Sequence, residues 1–238
     1  MRRTEKDILG TKELSEETLY GINTARALEN FALGQKKMNR ELVRAIVIVK
    51  KAAAGTYLKL KIGNEDVESA IINACDHILN HECDIEACFP LQALQGGAGT
   101  SANMNVNEVL ANLALLEMGR KPGEYDVIHP LDDVNRGQST NDVYPTALRI
   151  AAIRQLRLLS DACAKLQTAF QEKENLWQDV EKLGRTELMD AVPVTLGEEF
   201  GAYAQALARD RWRLYKVEER LRQVNIGGTA VGLSTNAD

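Results

Sequence analysis

The sequence predicts a mainly α-helical protein, because apolar residues recur at helical spacing over several long stretches while strand signals are weak. Asn39 is suited to cap a helix with one apolar face, formed by Leu42, Val43, Ile46, Val49 and Ala53. Asn64, with two acidic residues in the following turn, predicts the start of a second helix. A third is predicted from near Ser101 to Gly119, a residue type that commonly ends helices.

The second half of the chain predicts two longer helices. Residues 121–136 contain several helix breakers and predict a loop. Pro145 suits the first turn of a helix that continues to Phe170, and Thr195-Leu196-Gly197-Glu198 is a capping box that starts another, reaching about Asn225. A short hairpin or an extended arm is predicted within residues 7–22, where Ile8-Leu9-Gly10 and Leu19-Tyr20-Gly21 bracket a turn.

Two long amphipathic helices cannot bury their apolar faces against each other alone, so they indicate a helix bundle. The composition shifts near Gly137, which predicts a mostly helical domain over residues 1–137 and the first part of a long-helix bundle over residues 138–238. The chain ends in a loop without returning helices, and we expect either self-association or a missing C-terminal half to complete the bundle.

Composition excludes several classes of function. Of the 238 residues, 45% are hydrophobic and 26% are charged, which is typical of a globular protein. The net charge is -5 and no long run of one sign occurs, so no nucleic-acid partner is expected. No apolar stretch is long enough to span a membrane, and the charged start lacks the apolar core of a secretion signal. We therefore expect a cytoplasmic protein without a membrane partner.

The four cysteines, at positions 75, 83, 88 and 163, are expected to be free thiols in that compartment. His77 and His81 share a helical face near Cys83 and Cys88, which is a pattern that zinc sites use. The favoured interpretation is that both histidines lie at a helix end, where a partly charged imidazole interacts with the last carbonyl groups. No metal and no cofactor are predicted.

Three polar segments stand out from the helical pattern: residues 95–105, residues 137–142 and residues 184–187. The first contains Gly96, Gly97 and Gly99, which allow a ligand to approach the backbone, and it then places Thr100 at the start of a helix. Ser139-Thr140-Asn141 repeats this arrangement before the next helix. Neutral donors at helix starts suit a small dicarboxylate that gains negative charge during a reaction.

Each segment also has a purely structural explanation. The first reads as a glycine-rich turn with a capping residue, and it matches neither of the common nucleotide-binding patterns. One hydroxyl in the second segment is explained by capping, but three adjacent polar side chains are not. In the third segment, Thr186 is a candidate donor, whereas Arg185 is interpreted as a structural ion-pair partner.

Taken together and in this order, the segments resemble the aspartase/fumarase superfamily, whose members eliminate a small group to leave fumarate. The resemblance covers essentially the whole chain, from Asp7-Ile8-Leu9-Gly10 through Asn103-Met104-Asn105-Val106-Asn107-Glu108-Val109 to Val224-Asn225-Ile226-Gly227-Gly228-Thr229-Ala230-Val231-Gly232. Gly99-Thr100-Ser101 and Gln138-Ser139-Thr140-Asn141-Asp142 are similar to the aspartase branch, while Ile128-His129-Pro130 is similar to the fumarase branch.

The resemblance implies elimination of ammonia from L-aspartate to give fumarate through an enediolate, with hydration of fumarate or another fumarate-forming elimination of the superfamily as the alternative. It implies that Thr100, Ser139 and Thr140 donate to the reacting carboxylate, that Asn141 holds the amino group, and that Thr186 binds the other carboxylate. It further implies a homo-oligomer, a tetramer when full length, with sites built from several subunits.

Two departures from the family pattern qualify the resemblance. The family's base is a serine in a glycine-serine-serine loop, and no such string occurs here, so no catalytic residue is assigned and these residues alone are expected to be inactive. Glu187 stands where many relatives have histidine or glutamine. We hypothesise that Glu187 favours an amino-acid substrate over malate; the alternative is an exposed glutamate outside the pocket.

Overall fold

A computed structural model describes residues 1–80, 82, 84–235 and 237. In chain order its elements are β1 (Arg2–Asp7), β2 (Gly10–Ser15), α1 (Ile22–Asn30), α2 (Arg40–Leu60), α3 (Glu65–Leu79), α4 (Ile85–Cys88), α5 (Thr100–Glu117), α6 (Thr140–Leu176), β3 (Glu181–Thr186), β4 (Met189–Thr195) and α7 (Leu196–Leu221). The mainly α fold is therefore confirmed. None of the described helices is both long and apolar enough to cross a membrane.

The chain divides into two compact units. The first unit comprises residues 1–151 together with 224–238, and the second unit comprises residues 152–223. In the first unit, α2, α3 and α5 pack together around a core of fully buried side chains that includes Val47, Ile71, Ile78, Val106 and Leu110. The division into a domain over residues 1–137 and a domain over residues 138–238 concerns the whole protein, and it stays a prediction.

Three helices that begin at a capping side chain, α2, α3 and α7, start where the sequence predicts. Asn39 accepts from the amide of Glu41, and Asn64 accepts from the amide of Asp66. Thr195 and Glu198 form both bonds of the capping box before α7. These caps are local interactions, and this is why sequence alone locates them.

The start of α1 has no cap from Gly21 and is instead satisfied by a buried carboxylate from α5. Glu108 accepts from the amides of Gly21 at 2.9 Å, Asn23 at 2.8 Å and Thr24 at 3.1 Å. Burial raises the pKa of Glu108, and the hydrogen bond from the Thr24 hydroxyl acts in the opposite direction. This interaction fixes α1 on α5 next to the first polar segment.

The predicted hairpin is present but lies earlier in the chain than expected. β1 and β2 pair antiparallel from Arg2 opposite Ser15 to Asp7 opposite Gly10. Ile8 and Leu9 form the turn itself rather than one side of it. A second hairpin, β3 with β4, was not predicted, and neither were the short helices α1 and α4.

The prediction that Pro145 lies in the first turn of its helix is wrong. Helix α6 begins at Thr140, so Pro145 lies inside it. Proline has no amide hydrogen to donate to the carbonyl four residues earlier, which belongs to Asn141. Instead, Asn225 Nδ2 donates to that oxygen over 3.1 Å. A side chain distant in sequence thus satisfies the carbonyl that proline leaves unpaired.

The second unit combines the remainder of α6 with the β3–β4 hairpin and α7. Phe200 has ring contacts with Phe170, Trp177 and Tyr203, at centroid distances of 5.8, 5.0 and 5.8 Å. A Cβ added at Gly201 would lie 2.6 Å from a carboxylate oxygen of Glu174, so the absence of a side chain at residue 201 permits close packing. Elsewhere the unit exposes many apolar side chains, including Leu158, Leu159, Leu166, Trp212 and Tyr215.

Candidate functional site

Helix α5 begins without a capping side chain. Gly99, which precedes Thr100, has a φ of 91°, and no side chain of its own can cap the helix. The amide of Ala102 is satisfied by Gln95 Oε1 at 2.9 Å. Among the described residues, no acceptor is found for the amides of Thr100 and Ser101. Two amide hydrogens at the positive end of a helix dipole therefore remain for an anionic ligand.

The start of α5 lies directly against the start of α6. Asn103, one turn into α5, donates through Nδ2 to Thr140 Oγ1 over 3.2 Å. A Cβ added at Gly99 would lie 2.3 Å from a ring carbon of Tyr144, so only glycine allows this approach. Two of the three polar segments recognised in the sequence thus meet, and each contributes a helix N-terminus.

Helix α6 is capped by its own polar segment. Ser139 Oγ accepts from the amide of Asn141 over 3.2 Å, and Asp142 Oδ1 accepts in return from the amide of Ser139 over 3.0 Å. The oxygens of Ser139 and Thr140 therefore both act as acceptors within the protein. Among the described residues no acceptor is found for their hydroxyl hydrogens, which can therefore donate to an anion.

The Asn141 carboxamide has a fixed orientation. Its Nδ2 donates to the backbone carbonyl of Ala230 over 2.9 Å. A carbonyl can only accept, so nitrogen rather than oxygen must face Ala230, and Oδ1 points to the other side of the group. Next to it, the fully buried Asp142 accepts through Oδ2 from the amide of Thr229 over 2.8 Å.

A buried lysine, Lys50, donates hydrogen bonds to the second polar segment and to the loop that precedes it. Lys50 Nζ donates to Asn135 Oδ1 over 2.6 Å and to Gln138 Oε1 over 3.0 Å. Asn135 Oδ1 also accepts from Asn103 at 3.0 Å and from Asn107 at 3.2 Å. Burial lowers the pKa of Lys50 to about 7, and Asp142 and Cys75 act in the opposite direction. The network connects α2 and α5 to the segment that precedes α6.

An open cleft of about 710 Å³ lies beside this segment. One wall is formed by the loop before α6, including Asn135, Gln138 and Ser139, and the other by Thr229, Ala230 and Val231. Ser139, a predicted donor, is therefore accessible to a small ligand. The residues that hold the Asn141 carboxamide form the opposite side of the same cleft.

The third polar segment lies in the second unit. Thr186 ends β3 and is exposed, and it pairs with Met189 across a two-residue turn. Glu187 and Leu188 form the turn, with φ values of 54° and 64°. Arg185 Nε lies 3.3 Å from Asp190 Oδ1, in agreement with its interpretation as an ion-pair partner. The structure thus places Thr186 on a hairpin tip and Thr100, Ser139, Thr140 and Asn141 in the first unit.

Sequence reasoning assigned no individual role to Lys50, Asn103, Asp142 and Asn225, which hold the predicted residues in place. Lys50 had a visible signal, because it continues the apolar spacing of Val43 and Ile46 on the buried face of α2. Asn103 and Asn107 are four residues apart on one face of α5, whose central part is buried throughout. Asn225 had no local signal, since its partner is 84 residues away.

The zinc alternative receives no support from the described residues. None of their His, Cys, Asp and Glu side chains form a group of three or more that could hold a metal ion. His81 and Cys83, on which that alternative depended, lie outside the described residues. His77 is in the last turn of α3, and its Nδ1 lies 2.9 Å from a carboxylate oxygen of Glu82. Cys75, Cys88 and Cys163 are free thiols.

The fold and the two joined helix starts define a class: mainly α proteins in which the N-termini of two long helices meet. A family model described as "Lyase" matches residues 10–238, and the chain belongs to that family. The resemblance recognised in the sequence is thereby confirmed.

Individual relatives are consistent with this family. The chain is 46% identical to the aspartate ammonia-lyase of Escherichia coli (strain K12) over 236 residues, which is 98% of this chain and 49% of the relative. It is 44% identical to the aspartate ammonia-lyase of Bacillus subtilis (strain 168), over 99% of this chain and 49% of the relative. The chain therefore spans about half the length of these curated relatives.

Solved structures give the same result. A structure described as fumarate lyase:delta crystallin from Brucella melitensis bound to cobalt superposes with a TM-score of 0.96 and 48% identity, over 100% of this chain and 52% of that one. The class II fumarase from Schistosoma mansoni superposes with a TM-score of 0.94 and 33% identity, over 100% of this chain and 50% of that one.

Proposed function

We propose that this chain forms part of the substrate site of an aspartate ammonia-lyase, which eliminates ammonia from L-aspartate to give fumarate. The observation that carries the proposal is the hydrogen bond from Asn103 to Thr140, because it joins the N-termini of α5 and α6. The similarity to aspartate ammonia-lyases along nearly the whole chain supports the choice of substrate.

The chemistry explains why neutral donors at two helix starts suit this reaction. Elimination requires loss of a proton from the carbon beside the β-carboxylate, which places a second negative charge on that group. Preformed donors and helix dipoles stabilise the resulting enediolate, and loss of one such donor commonly costs about 3 kcal/mol. Hydroxyl groups donate without transferring their proton to the intermediate, so its charge is stabilised and not neutralised.

Roles follow for the five substrate-binding residues. Thr100, Ser139 and Thr140 donate to the carboxylate that becomes the enediolate. Asn141 accepts from the substrate ammonium group through Oδ1. Thr186, on the hairpin of the second unit, binds the α-carboxylate.

These residues account for substrate binding but not for proton removal. No glycine-serine-serine string occurs among the 238 residues, so none of them is assigned as the base. We therefore expect the 238 residues alone to release no fumarate from aspartate. Assays of the activity use the product of the complete coding sequence.

We also propose that the protein assembles as a homotetramer and takes part in aspartate metabolism in the cytoplasm. Exposed apolar side chains on both helices of the second unit support self-association, since long helices bury such surfaces in bundles. Size-exclusion chromatography with light scattering tests the tetramer. A monomer at micromolar concentration would contradict it.

The decisive experiment compares aspartate with malate as the substrate, following fumarate by its ultraviolet absorbance. The proposal expects fumarate from aspartate and little from malate. The alternative, a fumarase, is favoured by the fumarase-like residues 128–130 and by the superposition on a class II fumarase, and it expects the reverse. Activity with malate alone would establish the alternative and refute the proposal.

A matched pair of variants tests the site itself. Thr140→Val removes a hydroxyl at the start of α6 while keeping the side-chain shape, and we expect kcat to fall at least about 100-fold. Thr56→Val is the control, because Thr56 is exposed on α2 and its hydroxyl bonds only to its own helix. Equal activity of both variants would exclude Thr140 as a donor.

Glu187 provides a separate test of substrate preference. Its exposed position at a hairpin tip allows a carboxylate to accept from an ammonium group and to repel a substrate that carries only acidic groups. Glu187→Gln is expected to weaken aspartate binding and to improve malate binding. Unchanged KM for aspartate and unchanged discrimination against malate would show that Glu187 lies outside the pocket.

A further inference from the structure

Three hydrogen bonds attach residues 225–230 to the first turn of α6. Asn225 Nδ2 donates to the Asn141 carbonyl over 3.1 Å, and Asn141 Nδ2 donates to the Ala230 carbonyl over 2.9 Å. The Thr229 amide donates to the buried Asp142 over 2.8 Å. We call residues 225–230 the anchoring segment.

The sequence contains the reason why this attachment exists. Pro145 cannot donate to the Asn141 carbonyl, which would otherwise be occupied by the helix. The unpaired oxygen gives Asn225 an acceptor at the first turn of α6. Within the anchoring segment Thr229 has a φ of 57°, which is unusual for a β-branched residue and indicates a conformation imposed by its contacts.

The consequence concerns the Asn141 carboxamide. Without the anchoring segment, rotation of its terminal torsion would allow either nitrogen or oxygen to occupy the position now held by Nδ2. The Ala230 carbonyl accepts only from nitrogen, so it selects the rotamer in which Oδ1 points away from the anchoring segment. An amide oxygen accepts from an ammonium group, whereas an amide nitrogen would repel it.

We propose that Asn225 is a positioning residue, which holds the anchoring segment so that Asn141 presents its oxygen and the site selects substrates that carry an ammonium group. The inference rests on the proposed function, because it concerns the amino group of the substrate. It assigns specificity to a residue that has no contact with the substrate.

The experiment compares two ligands that differ only in the amino group. Aspartate is measured by its KM, and succinate, a dicarboxylate with no amino group, by its inhibition constant. In Asn225→Ala we expect KM for aspartate to rise about tenfold, equivalent to about 1.4 kcal/mol, with succinate inhibition unchanged within about twofold. If Asn225 has a purely structural role, the substitution should weaken the binding of aspartate and of succinate equally. That result would overturn the inference.

A second substitution separates the anchoring segment from the unpaired carbonyl. Pro145→Ala in the Asn225→Ala background restores a helical donor to the Asn141 carbonyl but does not reattach the segment. The loss that is specific to aspartate should persist in this double variant. Its disappearance would show that the carbonyl, and not the segment, controls binding, and the inference would fail.

Folding of the variant is controlled separately. Asn225 is exposed, so we expect Asn225→Ala to keep the circular dichroism spectrum and the assembly of the wild type. If it does not assemble, Asn225→Asp keeps the side-chain size but offers only acceptors to the Asn141 carbonyl, and the same aspartate-specific loss is expected. A wild-type protein that forms no fumarate from aspartate refutes the proposed function, whereas equal losses in the variant refute only the role of Asn225.

Discussion

Lys50 donates to the side-chain oxygen of Asn135 over 2.6 Å, inside a core where only 1% of the lysine is exposed. Asn135 accepts from this ammonium group and from two asparagines of α5, so a single amide oxygen connects three parts of the first unit. Burial of a charged group without a carboxylate partner in direct contact is costly. This cost explains why the pKa of Lys50 falls to about 7.

The first prediction is that Lys50 makes stability rise with pH. Its folded-state pKa of about 7 lies below the unfolded value of 10.5, so the unfolded state binds more protons between these values. Relative to Lys50→Met, the wild-type free energy of unfolding should therefore increase by roughly 2 kcal/mol from pH 7 to pH 9. Urea unfolding at fixed protein concentration measures this difference.

Burial raises the pKa of the Cys75 thiol, but Cys75 is present in both the wild type and Lys50→Met, so the difference between the two proteins reports Lys50. Lys51→Met is the matched control, because Lys51 is partly exposed and pairs with Asp76. Its difference from the wild type should not change over the same pH range. Parallel pH profiles for the wild type and Lys50→Met would refute the assignment.

Sequence predicted the parts of this protein that depend on neighbouring residues. Asn39, Asn64 and Thr195 begin helices because a cap needs only the next turn of chain. The prediction failed at Pro145, where a helix accommodates proline through Asn225, a partner distant in sequence. It also missed the β3–β4 hairpin, since Glu187-Leu188 lacks the glycine and asparagine typical of such turns.

The candidate site also has features that the sequence reveals and features that it does not. Hydroxyl and amide residues at helix starts were visible in the sequence as Thr100 and Ser139-Thr140-Asn141. The residues that orient them were not visible in the sequence. Asn103 and Lys50 act across the core, and in the sequence they resemble ordinary helix residues. A pattern along the chain identifies donors, whereas their direction depends on contacts between distant segments.

The second prediction distinguishes Asn103 from Asn107. Both donate to Asn135, but only Asn103 also donates to Thr140. Asn103→Ala should lower kcat with aspartate by about tenfold or more, because Thr140 loses the partner that orients its hydroxyl. Asn107→Ala and Asn103→Ala should lower thermal stability by similar amounts. Only Asn107→Ala should keep kcat within about twofold of the wild type. Similar kcat values for the two variants would contradict the special role of Asn103.

The third prediction concerns Gly63, which lies against the Glu68–Arg136 ion pair. A Cβ at Gly63 would lie 2.0 Å from Arg136 Nη1, whose distance to Glu68 Oε1 is 2.9 Å. Gly63 has a φ of 83°, so Gly63→Ala combines backbone strain with this clash. Glu68 is buried, and displacement of its partner should be strongly destabilising.

Gly119→Ala isolates the backbone term. Gly119 has a φ of 71°, but no atom lies within 4 Å of its added Cβ. We expect Gly119→Ala to lower the free energy of unfolding by about 1 kcal/mol, and Gly63→Ala to lower it by at least about 2 kcal/mol more. Chemical denaturation of both variants provides the comparison, and equal losses would show that the ion pair moves aside without cost.

The fourth prediction addresses the β3–β4 turn. Leu188 has a φ of 64°, in the left-handed region, and its side chain is fully exposed. Within the described structure, no side-chain packing therefore offsets the unfavourable backbone conformation. Asparagine tolerates that conformation better than leucine does. Leu188→Asn should therefore raise the free energy of unfolding by about 0.5 to 1 kcal/mol.

Leu188→Ala is the control for this change, because it removes the exposed side chain but keeps the unfavourable backbone conformation. It should leave stability close to the wild type, so the gain in Leu188→Asn reports the turn alone. Since Glu187 precedes Leu188 in the turn, a tighter hairpin also restricts the carboxylate that we propose faces the substrate ammonium. If Leu188→Asn stabilises the protein and raises KM for aspartate, the hairpin must move during binding, whereas an unchanged KM indicates a rigid tip.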